Sequence, residues 1–440
     1  MHKLIERIKY SEFFHLFNFH EEQAVGRTSM LLSAVLTASI NFLTTGVFYT
    51  SFLIVNGINL VNIGIISFIP LIANCFSIFS PLILERFEKR KQILAISRIL
   101  YYAINILGIT LLPVFVTDSH TKSICFAAIV FLANLVNALF SGGYAIWHLN
   151  FIPDTVRAHY FSSQQVISTT ISSVVLLLSS FIADALKDTP NQTLILYILR
   201  FVAFAIALAD VLVLLLPTEY PYLKKVKSIS IKNVFILPFS NKKFLLTMLV
   251  MAMWSFSSNL TSSSLNYYLL KDCGVSYSFI NIINAGYAVF LIVFSSFWRH
   301  MMGKWMWMKT FAITAMLHMP TTLLFSFTNA SNFIWILLIV RLTQHFLGVG
   351  INLAYANMPY INMPCEDRTN YIVFFTLITN LSAFCGMMLS TYFIAKTESV
   401  SFVFIVFPFT SVQVLMVLQA IGQLLTGFYV IKNLKKLSPE

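Results

Sequence analysis

Long apolar runs separated by short charged stretches are the main pattern along the chain. Residues 28–84 contain no Asp, Glu, Lys or Arg, and residues 399–431 contain none either. A helix needs about 20 apolar residues to cross the hydrocarbon core of a membrane. The first run is therefore long enough for two spans, and we expect the chain to turn between them at Asn-Gly-Ile-Asn, residues 56–59.

The same pattern continues to the C-terminal end and predicts twelve membrane spans. The predicted fold class is an all-α membrane protein, with twelve transmembrane helices in two six-helix halves related by pseudo-symmetry. The expected span centres lie near residues 42, 72, 105, 137, 174, 206, 257, 288, 317, 347, 381 and 416.

Composition agrees with this interpretation. Hydrophobic residues make up 58% of the chain and charged residues 10%, against about 25% charged in an average soluble domain. A soluble globular protein could not cover its core with so few polar groups, and a disordered chain would be far less apolar. The five cysteines are scattered without a metal-ligand spacing, so we expect no metal site and no cofactor.

The basic residues predict the orientation. Most of the 29 Lys and Arg residues fall in loops on one side of the predicted spans, which is also the side of both termini. Basic loops favour the cytoplasmic side. We therefore expect a plasma (inner) membrane protein with both termini in the cytoplasm, and we attribute the net charge of +12 to topology rather than to nucleic-acid binding.

Five segments follow from these boundaries. Residues 1–27 are predicted as a cytoplasmic amphipathic N-terminal segment, because apolar residues recur there at helical spacing. Residues 28–217 form the N-terminal six-helix bundle, 218–243 a basic, proline-containing cytoplasmic linker, 244–431 the C-terminal six-helix bundle, and 432–440 a cytoplasmic tail.

The two halves share an internal repeat. The predicted fourth span ends in Tyr-Ala, followed by a Pro, an Arg and a Tyr, and the predicted tenth span ends with the same residues at one constant offset. The matched residues are Tyr144, Ala145, Pro153, Arg157 and Tyr160 in the first half, and Tyr355, Ala356, Pro364, Arg368 and Tyr371 in the second. Duplicated bundles of this kind are typical of two-half transporters.

With this plan the chain resembles the major facilitator superfamily. The loop after the predicted second span has Glu85, Arg86 and Arg90 where the family's local motif has acidic and basic residues, although both motif glycines are missing. By resemblance these three residues are candidates for a cytoplasmic latch between the halves, and charges that only set topology are the alternative. Further latch candidates at the inner ends of the repeats, otherwise interface anchors, are Asp154, Arg157, Glu366, Asp367 and Arg368.

Arg341 is the strongest candidate for ligand binding. It is expected near mid-membrane in the tenth span, where a charge is costly and needs a reason. Gln344 and His345 follow at helical spacing on the same face. The resemblance implies that spans one, four, seven and ten line a central cavity, where a guanidinium would bind an anion bidentately. The alternative is an arginine that binds neighbouring carbonyls.

Polar residues on the other presumed cavity helices are further candidates. They are Asn41, Thr45 and Tyr49 in the first span, Asn137 in the fourth, Trp254, Asn259 and Asn266 in the seventh, and Tyr355 in the tenth. Hydroxyl groups that join membrane helices are the alternative interpretation. By resemblance Arg200 and Asp210, in the sixth span, are expected to be structural, snorkelling or paired with a neighbouring helix.

These features predict a secondary or facilitative transporter that moves a small organic solute by rocker-switch alternating access. Export of an amphipathic compound is favoured over import of a small anionic metabolite recognised by Arg341, and lipid or lysolipid translocation is a third hypothesis. An enzyme is not expected, since no clustered catalytic groups define a reaction. The expected partners are a small-molecule substrate and membrane lipids; an H⁺ or Na⁺ coupling ion is left open, and the predicted state is a monomer without nucleic acid.

Overall fold

The fold is almost entirely helical. A computed structural model describes residues 17, 21–84, 86–149, 151–152, 157–187, 189–219, 231–364, 368–397, 400, 402–404 and 407–437. The helices up to residue 214 are α1 (Glu22–Thr44), α2 (Gly46–Val55), α3 (Leu60–Cys75), α4 (Ser80–Leu84), α5 (Lys91–Tyr102), α6 (Ile109–Phe115), α7 (Ser119–Leu149), α8 (Arg157–Ala185) and α9 (Gln192–Leu214). A 3₁₀ turn (Phe76–Phe79) and a π-helical segment (Ala103–Gly108) join α3 to α4 and α5 to α6.

The later elements are again helices, with one short hairpin. They are α10 (Ile231–Ser240), α11 (Lys242–Ser258), α12 (Leu265–Tyr267), α13 (Tyr277–Trp305), α14 (Trp307–Phe325), α15 (Phe333–Ile361), α16 (Arg368–Thr397), β1 (Phe402–Phe404), β2 (Phe407–Phe409), α17 (Ser411–Lys432) and α18 (Leu434–Leu437). A second π-helical segment, Tyr268–Asp272, follows α12. The two strands pair antiparallel, with Phe402 opposite Phe409.

Ten helical stretches in the described residues are long and apolar enough to cross a membrane. The count becomes eleven if α10 and α11, which meet at a bend of 103°, form one broken span. The expected twelve is therefore not confirmed. The two shortfalls fall on the predicted seventh and ninth spans: α11 has only 17 residues, and α14, with 19, contains Lys309, His318 and Pro320.

The turn expected between the first two spans is confirmed. Helix α2 ends at Val55 and α3 begins at Leu60. Gly57 has a φ of 80°, a left-handed conformation that a residue with a Cβ adopts only with strain, and its N–H donates to the carbonyl of Ile54. The glycine therefore closes the helix end so that the chain can reverse.

The chain forms two compact units. Unit 1 contains residues 1–52 and 76–228, and unit 2 contains residues 53–75 and 229–440. Within unit 1, α1 packs against α8 and α9, and α5 packs against α7. Within unit 2, α14 packs against α15 and α17, α11 packs against α16 and α17, and α3 packs against α16. Helix α11 approaches α16 so closely that a Cβ on Gly386 would lie 2.5 Å from the carbonyl oxygen of Phe256.

The internal repeat has a structural counterpart in each unit. In unit 1 the hydroxyl of Tyr160 donates to the carbonyl of Arg27 at 3.0 Å, and in unit 2 the hydroxyl of Tyr371 donates to the carbonyl of Leu237 at 3.2 Å. Both tyrosine side chains are buried. Each repeat tyrosine therefore ties its helix to the backbone of an element that lies more than 130 residues earlier in the chain.

Candidate functional site

Arg341 lines a cavity inside unit 2. Its helix, α15, presents Arg341, Gln344 and His345 to a space of about 190 Å³, as the helical spacing predicts. Helices α14 and α17 and the segment after α11 supply the remaining walls. Those residues are Thr261, Leu265, His318, Thr322, Phe325, Met416 and Gln419.

The guanidinium of Arg341 has weak partners. Its Nη1 donates to Oε1 of Gln344 at 3.3 Å, and its Cζ lies 4.9 Å from the ring centre of Phe325. Within the described part of the chain, no acidic side chain contacts Arg341. A guanidinium without a carboxylate keeps its paired N–H groups available for the two oxygens of an anion.

His345 is fixed beside Arg341 by a neighbouring helix. Its Nε2 lies 2.8 Å from the carbonyl oxygen of Ile283 in α13, and its ring contacts that of Tyr287 at 5.7 Å. Because a carbonyl oxygen only accepts hydrogen bonds, Nε2 must bear the proton. The imidazole therefore joins α15 to α13 and forms one wall of the cavity.

The opposite wall is a set of paired hydroxyl and amide groups. Thr261 donates to Oε1 of Gln419 at 2.5 Å, and Thr322 donates to Oε1 of Gln423 at 2.9 Å. Nδ1 of His318 lies 3.1 Å from the hydroxyl of Thr322. Since these groups are already bonded to one another, the wall is preorganised, and Arg341 is the charged donor among the lining residues that can bind a strong acceptor.

Unit 1 has its own polar cavity, of about 660 Å³. It lies between α1, α5 and α8, and most of its polar walls are hydroxyls and amides. The polar lining residues are Ser33, Thr37, Asn41, Arg98, Gln164, Gln165, Ser168, Thr169 and Ser172. The arginine in this cavity, unlike Arg341, has a carboxylate partner.

That partner is Asp210, which is completely buried in α9. One carboxylate oxygen accepts from Nε of Arg98 at 2.9 Å and from the hydroxyl of Tyr102 at 2.7 Å. The other accepts from the hydroxyl of Ser33 at 2.5 Å. Arg98 also donates from Nη2 to the hydroxyl of Thr37 at 2.5 Å. The expectation that Asp210 pairs with a neighbouring helix is confirmed.

Arg200 is held by a second set of contacts in unit 1. Its Nε donates to the hydroxyl of Thr110 at 2.7 Å, its Nη2 donates to the carbonyl of Asn105 at 3.1 Å, and its Cζ lies 4.8 Å from the ring centre of Phe52. The side chain is 2% exposed. These contacts join α9 to the α5–α6 region, as a structural role requires.

Comparison with known proteins identifies the fold. No family model and no curated protein matches the sequence. Solved structures do match. One is a mutant of the nucleoside transporter NupG, which matches with a TM-score of 0.72 at 13% identity, covering 92% of this chain and 99% of that one. A D-xylose-proton symporter matches with a TM-score of 0.68 at 13% identity, covering 96% of this chain and 99% of that one. A bacterial homologue of the iron transporter ferroportin also has a TM-score of 0.68, at 13% identity, with 92% and 98% covered.

The chain has the fold that these transporters share, as the resemblance to the major facilitator superfamily implies. At these identities the likeness concerns the fold, which is that of multi-pass membrane transporters. The resemblance stated from the sequence is confirmed at this level. The three structures named above are all transporters.

Within this superfamily fold, the other predicted cavity residues are dispersed. In unit 1, Asn41 lines the cavity, Thr45 is exposed and donates to the carbonyl of Asn41, Asn137 is partly buried in α7, and the ring of Tyr49 lies 5.8 Å from the Arg200 guanidinium. Their assignment as ligand-binding residues stays a prediction.

In unit 2, the remaining candidates are not among the residues that line the Arg341 cavity. Trp254 packs on His318 at 6.2 Å, Asn259 donates to the carbonyl of Ser255, Asn266 is partly buried in α12, and Tyr355 lies 6.4 Å from Phe311. Of these contacts, the one between Trp254 and His318 reaches a residue that lines the cavity. The assignment of these four residues to ligand binding stays a prediction.

The latch residues of the superfamily fold are described only in part. Glu85, Asp154, Glu366 and Asp367 lie outside the described residues, and for Arg157 and Arg368, the first residues of α8 and α16, only the backbone is described. Arg86 is exposed in a turn. Arg90 is buried, and its Nε donates to the carbonyl of Phe87 at 3.2 Å. The latch stays a prediction.

Arg98 is the buried charged residue that the sequence did not reveal. It follows the basic stretch 86–91 closely, so charge counting assigns it to the loop, whereas the structure puts it two turns inside α5. The buried Asp210 was the available signal, because a carboxylate within a span requires a nearby basic partner.

Proposed function

We propose that this protein is a secondary transporter and that its substrate is a small organic anion bound by Arg341. The observation that carries the proposal is the cavity of unit 2, where the guanidinium faces open space and contacts no acidic side chain of the described residues. An anion there would accept two parallel N–H bonds in a region of low dielectric, where such bonds are strong.

The size of the cavity favours a small solute. Drug-sized ligands occupy pockets of about 300–1,000 Å³, and the Arg341 cavity has about 190 Å³. A short carboxylate or a small phosphate ester fits this volume better than an amphipathic drug or a lysolipid. The cavity volume therefore supports the anion hypothesis over export of an amphipathic compound and over lipid translocation.

In alternating access, a bound anion would affect how readily the carrier changes conformation. A ligand shifts a conformational equilibrium only by its difference in affinity between the two states. A bare guanidinium in the membrane interior is costly to enclose, and a bound anion neutralises it. The loaded carrier should therefore change state more readily than the empty one. We further infer twelve spans, cytoplasmic termini and a plasma-membrane location.

Thermal unfolding in lipid nanodiscs tests the proposal. A ligand that binds only the folded state raises Tm by mass action. The panel contains short mono- and dicarboxylates, small phosphate esters, amphipathic cations and lysolipids. The variants are Arg341→Gln and Arg341→Lys, and Arg299→Gln is the matched control because Arg299 is an exposed arginine outside the cavity.

We expect an anion to stabilise the wild type and Arg299→Gln, to stabilise Arg341→Lys less, and to leave Arg341→Gln unchanged. Stabilisation of Arg341→Gln equal to that of the wild type would show that the anion binds elsewhere. Stabilisation by lysolipids or amphipathic cations alone would favour the alternative substrates. Uptake of the stabilising anion into proteoliposomes, with and without imposed H⁺ or Na⁺ gradients, then establishes transport and its coupling ion.

A further inference from the structure

Unit 2 contains a second, larger cavity that shares no lining residue with the Arg341 site. It has a volume of about 780 Å³ and lies where the segments 268–272 and 327–330 and the hairpin β1–β2 meet the first turn of α17. Its volume is within the range of pockets that hold drug-sized ligands. The proposed transport site does not include it.

The walls of this pocket are mainly apolar and aromatic. The apolar lining residues include Leu60, Phe327, Ile394, Val400 and Phe409. The rings of Phe327 and Phe409 pack edge to face, with centres 5.2 Å apart. Such walls suit the hydrocarbon or aromatic part of a ligand, and aromatic faces also attract a cation.

The pocket is built on fixed hydrogen bonds. Nε2 of Gln413 donates to the carbonyls of Ser326 at 2.9 Å and Thr328 at 3.1 Å, and the hydroxyl of Tyr268 donates to the same Thr328 carbonyl at 2.5 Å. Gln413 also closes a capping box with Thr410 at the start of α17. A ligand would therefore meet a preformed cavity and lose little affinity to reorganisation.

Asp272 gives the pocket its charge. Among the lining residues that the structure describes, it is the one carboxylate, and none of them is a lysine, an arginine or a histidine. Within the described residues its carboxylate makes no hydrogen bond or ion pair, and the neighbouring Lys271 acts on it only through its charge. In a chain with 29 basic and 17 acidic residues, an accessible carboxylate in an apolar pocket selects for positive charge.

We propose that this pocket is a binding site for a small amphipathic amine, whose ammonium pairs with Asp272 while its apolar body lies among Phe327, Phe409 and Leu60. The site is separate from the Arg341 cavity, so it is a second ligand site and not the transport site. The ligand is a monocation with a short hydrocarbon or aryl part.

Binding of 4-phenylbutylamine, with 4-phenylbutanol as a neutral analogue of the same shape, tests this site in nanodiscs. We expect the amine to bind the wild type at least about ten-fold more tightly than the alcohol, because a charge-assisted hydrogen bond is among the stronger contacts. Asp272→Asn should abolish that difference. Asp118→Asn should keep it, since Asp118 is an exposed carboxylate outside the pocket.

A second variant blocks the pocket without changing its charge. Ala330 is exposed and lines the pocket, so Ala330→Trp should weaken the amine and the alcohol alike. Equal affinity of the two compounds for the wild type, or wild-type amine binding in Asp272→Asn or Ala330→Trp, would overturn the proposal.

Arg341→Gln separates this site from the proposed transport site. The Arg341→Gln variant should bind the amine as tightly as the wild type does, whatever the outcome of the anion experiment. Loss of amine binding in Arg341→Gln would assign the amine to the transport cavity and overturn the proposal of a second site.

The pH dependence is a further readout. Loss of hydration raises the pKa of the Asp272 carboxyl, and the Lys271 ammonium offsets part of that rise. Burial also raises the pKa of the Cys273 thiol, to about 11, and that of the Tyr268 hydroxyl, so both stay neutral. Amine binding should therefore weaken on acidification, beginning at a higher pH than for an ordinary aspartate, and Asp272→Asn should lack this loss. A wild-type affinity that does not fall on acidification would contradict a role for the Asp272 carboxylate.

Discussion

Arg98 and Arg341 are both arginines within helices of a membrane protein, and they differ in what surrounds them. Arg98 pairs with the fully buried carboxylate of Asp210, which accepts two further hydrogen bonds from Ser33 and Tyr102. Arg341 has one long hydrogen bond to Gln344 and an aromatic neighbour. At the Arg98 site the two charges cancel and the carboxylate has hydrogen-bond donors on both oxygens. At the Arg341 site the positive charge has no acidic partner among the described residues, and the guanidinium faces a cavity. This contrast is consistent with a structural role for Arg98 in unit 1, and it supports the proposal that Arg341 in unit 2 binds a ligand.

Asp210→Asn should have the largest effect on stability. The change leaves the Arg98 guanidinium inside the helix bundle without its counter-charge, and breaking a buried ion pair from one side costs about 3–5 kcal/mol. We expect the lower end, because Arg98 also reaches the 660 Å³ cavity, where water can hydrate it. Thermal unfolding in nanodiscs measures the loss.

The double variant Arg98→Gln/Asp210→Asn is the control for that experiment. It removes both charges, so it should be more stable than Asp210→Asn alone. If the double variant lost as much stability as Arg98→Gln and Asp210→Asn lose together, the two side chains would act independently. The contrast with Arg341 would then disappear.

Arg341→Gln should have a much smaller effect on stability. No carboxylate of the described residues loses a partner, and the lost contacts are one 3.3 Å hydrogen bond and one aromatic contact, together worth about 1 kcal/mol. Removal of a costly charge from the helix interior offsets part of this loss. A fall in Tm as large as that of Asp210→Asn would show that Arg341 is structural as well.

The sequence predicted one of these arginines and not the other, for a physical reason. Helical spacing depends on neighbours in the chain, so it was enough to put Arg341, Gln344 and His345 on one face. The Arg98–Asp210 pair joins residues 112 positions apart, and no local pattern encodes such a contact. Apolar runs likewise predicted the helical fold and the turn at Gly57. They did not predict that α11 ends after 17 residues, and counting charges alone overlooked the effect of His318 and Pro320 on the hydropathy of α14.

Tyr102→Phe tests how much one hydrogen-bond donor to Asp210 contributes to stability. The change removes one hydrogen bond of 2.7 Å to a charged acceptor and keeps the ring, which is 2% exposed. Hydrogen bonds to charged groups contribute about 1.5–3 kcal/mol. We expect about 1.5 kcal/mol of destabilisation, since Ser33 and Arg98 still bind the carboxylate. An unchanged Tm would mean that the carboxylate does not depend on its full set of donors.

Gln344→Leu is the matching change beside Arg341 and should have the smallest effect. Gln344 is 9% exposed, and leucine fills most of its volume. The hydrogen bond that is lost is 3.3 Å long, near the limit for such bonds, so its contribution is about 0.5 kcal/mol. The same unfolding assay compares Gln344→Leu directly with Tyr102→Phe, because each variant removes one partner of a site that contains an intramembrane arginine. Equal losses of stability in the two variants would mean that the Arg341 site is as firmly organised in the empty protein as the Arg98–Asp210 site, and the assignment of Arg341 to an incoming anion would lose its basis.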